Sequence, residues 1–175
     1  MGTRISPGGD GDRAYGLEAT FDGGVRDIQG ARVGGAGAVL RGADLRDGLL
    51  KREASASMAL PEVTDSQVAE AWGAHLVVLL LRERPDGERR VRISGDSLAV
   101  VRHCAAQGRL HRPCTQAVLE PALARLASEG WKVSWQAVQR RSNMAADAEA
   151  TGGVFWAAGL RRSGALGRRW RVRWA

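Results

Sequence analysis

The sequence predicts a mixed α/β domain: a five-stranded mixed sheet, three antiparallel strands followed by two parallel ones, flanked by helices. Three observations predict it. Apolar and polar residues alternate in short early segments, the spacing then turns helical, and two later alternating segments are each reached through a helix.

Residues 1–13 hold Gly, Pro, Asp and Arg with little apolar content and read as a disordered lead-in. Tyr15, Leu17, Ala19 and Phe21 alternate with Gly16, Glu18 and Thr20, which is strand period, and Asp22-Gly23-Gly24 reads as the turn that ends the strand. Gly34 to Leu40 reads as a second strand whose glycines permit close backbone approach, and residues 54–60 as a third. Thr64, Asp65 and Ser66 are helix-capping types, followed at helical spacing by Val68, Trp72, His75, Leu76 and Leu79. Val77 to Leu81 are apolar on every side, so this helix is predicted to be buried. A polar loop containing Pro85 and Gly87 leads to a strand at Val91, Ile93 and Gly95, then a helix from about Ser97 to Ala106. Pro113 opens another helix to about Ser128. Val133, Trp135 and Ala137 make the fifth strand, and Asn143 caps a last helix running through Ala150. The domain is expected to span residues 14–160, with a separate tail at 161–175.

Composition bounds the function. The 175 residues are 44% hydrophobic and 26% charged, which excludes collagen-like, disulfide-scaffold and wholly disordered chains. No apolar run approaches the roughly 20 residues that span a bilayer, and no signal peptide opens the chain. Two cysteines cannot make a disulfide framework, so an intracellular, reducing setting is expected. The net charge of +7 is uneven: residues 161–175 hold six arginines and no acid. Of 26 cations only Lys51 and Lys132 are lysines. Arginine suits bidentate phosphate recognition, although a GC-rich genome gives the same bias.

The acids carry the chemistry. Asp22 and Asp96 each follow a strand and would project at one sheet edge if those strands are neighbours. Glu70 lies early in the most apolar helix, and Asp147 lies among alanines early in the last one. Singly, each acid also reads as a helix cap, a turn residue or an arginine partner. Together they would repel one another and lose hydration, and no lysine is near any of them in sequence. Two Mg²⁺ ions would compensate, since Mg²⁺ prefers carboxylate oxygens. Paired metals are the usual clamp for in-line attack on a phosphodiester.

Four segments in order resemble the type 1 ribonuclease H family, especially its handle-less, reverse-transcriptase-like branch. FDGG, with GGAGAVL thirteen residues after its Phe, resembles the first hairpin and places the first catalytic Asp at Asp22. SQVAE resembles the start of the first long helix, ending in Glu70; ISGDS resembles the third element, with Asp96; VQRRSNMAADAEA resembles the last strand and helix, with Asn143 and Asp147. The resemblance implies a ribonuclease H-like fold and endonucleolytic hydrolysis of the RNA strand of RNA–DNA hybrids, giving 5′-phosphate ends. It implies Mg²⁺ or Mn²⁺ held by Asp22, Glu70, Asp96 and Asp147. Asp22 and Asp96 would anchor the metals, Glu70 would orient the water and Asp147 would complete the second site. Gly23, Gly24, Ser66, Gln67, Ser97, Arg140 and Asn143 are the corresponding nucleic-acid contacts. Two departures stand out. Ser66-Gln67 replaces the family's paired Asn that reads 2′-hydroxyls, and Arg140-Arg141 occupies the loop where many bacterial members carry a His. One of these arginines is expected to contact the scissile phosphate.

A second reading keeps the fold without catalysis: a nucleic-acid-binding or assembly module, or a domain partnered with a polymerase or reverse transcriptase in retroelement machinery. Retention of all four acids favours the enzyme, acting as a monomer. His103, Cys104, His111 and Cys114 fit no common zinc spacing, and Cys104 reads as a buried free thiol. His75 reads as a core or boundary histidine with its hydrogen bonds satisfied. Trp170 and Trp174 among the tail arginines form either a packed end or a nucleic-acid grip. Deleting 161–175 is expected to weaken hybrid binding while sparing turnover.

Overall fold

The computed structural model describes residues 16–43, 46–84, 87–106 and 112–175; the expected lead-in 1–13, Tyr15, Pro85 and His111 lie outside them. The alternation of Leu17, Ala19 and Phe21 puts three buried side chains on one face of β1 (Leu17–Ile28). β1 turns at Gln29-Gly30, where φ is 51° and 79°, and returns as β2 (Ala31–Ala43). Two positive φ angles in a two-residue hairpin match the strand twist. β2 runs antiparallel into β3 (Leu50–Leu60). Then comes α1 (Ser66–Glu83), capped by Asp65, whose Oδ1 accepts from the Gln67 N–H at 2.8 Å and the Val68 N–H at 3.3 Å.

The remaining elements are β4 (Arg90–Gly95), α2 (Leu98–Cys104), α3 (Pro113–Ser128), β5 (Lys132–Ala137), a 3₁₀ turn (Arg140–Ser142), α4 (Met144–Arg162) and β6 (Arg169–Trp174). They form a sheet of order β5-β4-β1-β2-β3-β6. β4 is parallel to β1 and β5 is parallel to β4, while β6 is antiparallel to β3. One face, with Phe21, Ala38, Leu40, Ala56 and Met58, packs on Leu76, Val77 and Leu80 of α1, and α3 adds Leu119 and Leu126 to the same core by packing on α1. On the opposite face α4 packs Val154, Ala157 and Ala158 on Val33 and Ala59.

Four expectations need correction. Asp22-Gly23-Gly24 is not a turn: it is extended and paired to Gly37, Ala36 and Gly35, and β1 continues to Ile28. Gly23 serves packing, because a Cβ there would stand 2.1 Å from the Ala69 carbonyl of α1. The last helix does not stop at Ala150 but runs to Arg162, since Val154, Ala157 and Ala158 continue its buried stripe. The sheet has six strands, not five, and the expected tail supplies the sixth. There Trp170, Val172 and Trp174 alternate with arginines, which is strand period. Finally, His75 is not fully satisfied: its Nδ1 is buried without a partner. Trp72 stands against the ring at 5.0 Å, and burial, followed by the nearby arginines, lowers its pKa. Cys104 is a half-buried free thiol whose burial pushes its pKa up to about 12.

Candidate active site

The site begins with the parallel pairing of β1 and β4. Phe21 lies opposite Gly95, so the next residue on each chain, Asp22 and Asp96, emerges at the same sheet edge. Asp22 is only 4% exposed, and its Oδ1 accepts from the Gly23 N–H at 2.8 Å. Asp96 is half-buried where β4 gives way to α2.

Two backbone approaches bring the other acids in. α1 lies on β1 with no side chain between them: besides Gly23 against Ala69, a Cβ on Gly73 would stand 2.3 Å from the Asp22 carbonyl oxygen. Glu70, one turn before Gly73, is thereby set beside Asp22. Oxygens of Asp22, Glu70 and Asp96 lie within 4.8 Å of one another. On the other side Asp22 pairs with Gly37, over which α4 sits so closely that a Cβ would stand 2.4 Å from the Ala150 nitrogen and 2.5 Å from the Ala146 carbonyl oxygen. This lowers the first turn of α4 onto β1. Asp147 stands outside the three-acid cluster, but near enough for its charge to act on both Asp22 and Asp96.

The acids disturb one another as crowded carboxylates should. Burial, then the Asp96 charge, pushes Asp22 up to about 7. Burial, then the Asp22 and Asp96 charges, pushes Glu70 up to about 9. Burial raises Asp96, opposed by the guanidinium of Arg140, which also favours the charged form of Glu70. Glu70 Oε2 is buried with no hydrogen-bond partner. A hard-oxygen donor set, crowded, buried and short of donors, fits a divalent cation such as Mg²⁺.

The expected nucleic-acid contacts divide. Arg140 and Arg141 are exposed on the 3₁₀ turn, and Arg140 acts electrostatically on two of the acids. Ser66 is exposed at the start of α1, and Ser97 is half-buried next to Asp96. A Cβ on Gly24 would meet nothing within 4 Å, so its backbone borders open space. Gln67 is half-buried, with its Oε1 accepting from Thr115 Oγ1 at 3.3 Å. Gly23 is closed off by α1, and Asn143 is not a surface contact. Asn143 is 2% exposed and its Nδ2 donates to the Phe21 carbonyl at 2.8 Å, tying the start of α4 to β1. Sequence reasoning missed Gly73. Its signal was a lone glycine inside a long apolar helix, which usually has a packing reason.

No protein-family model matches the sequence, and no curated protein matches it. Solved structures do resemble the fold. The N-terminal RNase H domain of Rv2228c from Mycobacterium tuberculosis is 23% identical with a TM-score of 0.67, over 85% of this chain and 99% of that one. LC11-RNase H1 in complex with an RNA/DNA hybrid is 21% identical with a TM-score of 0.60, over 81% and 99%. A foamy viral protease-reverse transcriptase in complex with dsDNA is 17% identical with a TM-score of 0.52, over 81% and 96%. The strand order, the flanking helices and these likenesses together identify the architecture as a ribonuclease H-like fold.

Proposed function

We propose that the chain is a divalent-metal-dependent endoribonuclease that hydrolyses the RNA strand of RNA–DNA hybrids. The observation that carries this reading is the meeting of Asp22, Glu70 and Asp96, with Asp147 against Asp22, around the unpartnered Glu70 Oε2. Asp22, Glu70 and Asp96 would hold one Mg²⁺ or Mn²⁺, and Asp22 with Asp147 a second. Bound there, such ions supply a nucleophilic water at neutral pH and neutralise charge on a phosphodiester.

The chain's own residues position the reaction. The buried β1 and the glycine contacts of α1 and α4 fix the carboxylates, so little rearrangement is needed when substrate arrives. Arg140, exposed beside them, offers its guanidinium to the scissile phosphate. Ser66, Ser97 and the open Gly24 backbone line the approach, where hydroxyl and amide groups can meet the sugar–phosphate chain. Water attacks phosphorus, the bond from phosphorus to the 3′ oxygen breaks, and that oxygen takes a proton. The products carry 5′-phosphate and 3′-hydroxyl ends.

A reverse-transcriptase setting is the second reading, favoured by the likeness to the foamy viral enzyme. The test of function is cleavage of a labelled RNA–DNA hybrid, with single-stranded and double-stranded RNA as controls, in Mg²⁺, Mn²⁺ and EDTA. Hybrid cut in either metal and spared in EDTA is the expected result. Intact hybrid in both metals would refute the proposal and leave a binding module.

A further inference from the structure

The sixth strand presents a surface that the carboxylate site does not use. Its register on β3 sets Trp170 beside Met58, Val172 beside Ala56 and Trp174 beside Ala54, so these three share the α1 side of the sheet. Val172 is partly buried in the core, whereas Trp170 is 55% and Trp174 44% exposed. Arg168, immediately before the strand, lies over the ring of Trp72 on α1 at 4.4 Å. The result is a strip of aromatic and cationic groups running from α1 along the sheet edge.

The other side of β6 is committed to the fold. Arg173 Nη2 donates to both oxygens of the buried Glu149 at 2.6 Å, and Arg171 covers Trp156 at 5.4 Å. These arginines still contribute positive charge, and no acid lies anywhere in residues 161–175. That charge also disfavours pairing of β6 with β6 of a second copy, which would set arginine against arginine. The partner that complements an edge with two open indoles in a wholly basic segment is an anion with flat faces.

We propose that the α1-side face of β6 is a second nucleic-acid site, which takes a single-stranded segment by stacking bases on Trp170 and Trp174. Four residues of strand separate the rings by about 13 Å, room for an intervening nucleotide of an extended chain. Stacking on an indole does not depend on base identity, and the surrounding arginines attract the phosphates. The site therefore binds with little sequence preference. It is independent of the carboxylate cluster, so it would hold single-stranded ends whether or not the chain cleaves hybrids.

The test is fluorescence anisotropy with labelled oligo(dT), in EDTA so that cleavage plays no part. The Trp170→Ala/Trp174→Ala pair should bind at least about 30-fold more weakly, the loss of two stacked bases. The Trp170→Phe/Trp174→Phe pair, which keeps flat rings in the strand, should retain most of the affinity and controls for folding. An abasic oligomer of equal charge should bind wild type and the alanine pair alike. Unchanged oligo(dT) affinity in the alanine pair would overturn the proposal. So would polyglutamate competing as well as unlabelled oligo(dT), which would assign the face to an acidic protein segment. Photo-cross-linking of bromouridine-substituted DNA to the wild-type chain decides without any variant. Adducts on Trp170 or Trp174 support the site, and adducts confined to the carboxylate cleft contradict it. Failure here leaves the nuclease reading untouched, because no step of the assay needs metal.

Discussion

Asp22 is the residue on which the others converge: Glu70, Asp96 and Asp147 each meet it from a different element. The crowding has a thermodynamic consequence that can be measured without substrate. Folding raises Asp22 to about 7 and Glu70 to about 9, whereas in the unfolded chain such groups titrate near 4. The folded protein therefore binds more protons than the unfolded one between those limits. Their contribution to stability is fully present below about pH 4 and is lost as pH rises through 7 and then 9. Metal-free protein in EDTA should show a falling denaturation midpoint over that window. Asp22→Asn, which keeps an oxygen for the Gly23 N–H, should raise metal-free stability at pH 8 by about 1–3 kcal/mol, since it removes the most crowded charge. Added Mg²⁺ should raise the wild-type melting temperature and leave Asp22→Asn nearly unmoved. A wild-type midpoint flat from pH 5 to 9 would show that the carboxylates do not crowd as described. The signal for these acids was legible in the sequence, because Asp22 closes an alternating apolar run, Asp96 follows a strand, and Glu70 and Asp147 lie in the first turns of helices. What was not legible was that Asn143 faces inward, since an asparagine before a helix looks the same whether it caps, binds or props.

At the scale of elements, glycines decide where the helices sit. Gly37 is pressed against α4 and Gly24 is open, although both lie in the same hairpin. Gly37→Ala should cost about 1–3 kcal/mol and lower hybrid cleavage, because α4 must lift and carry Asp147 with it. Gly24→Ala should change stability by less than about 1 kcal/mol. Equal losses in urea denaturation would contradict the packing account. The same packing explains why Asp22-Gly23-Gly24 misled: glycine after aspartate signals a turn locally, and only the helix lying across the strand shows that the missing side chain is needed for contact. β6 makes the converse point. Six arginines in fifteen residues read as a solvated tail, yet three of them lie in β6 and Arg173 holds a carboxylate that is 7% exposed. Arg173→Ala should destabilise the fold by about 1–2 kcal/mol, less than for a fully buried pair because Arg173 itself faces water.

For the whole molecule, the alternation of periods was enough to order five strands and the helices between them, because each of those segments buries one face against the next. The sixth strand and the end of α4 do carry local patterns, but what they pack on, β3 and the far face of the sheet, is distant in sequence. That difference changes an expectation. Deleting residues 161–175 would remove the end of α4 together with β6, stripping the edge of β3 and leaving Glu149 without Arg173. Loss of activity in such a truncation would report unfolding, not weakened binding, so point substitutions in β6 are the informative ones. At this scale the fold gathers Asp22, Glu70 and Asp96 from separate elements into one cluster, with Asp147 near by. The most direct measurement is hybrid cleavage in Mg²⁺ by wild type and by Asp22→Asn, both shown folded by circular dichroism. The account predicts that wild type cuts and that the variant is slower by at least about 100-fold, since it loses a central ligand. Equal rates in the two proteins would contradict it.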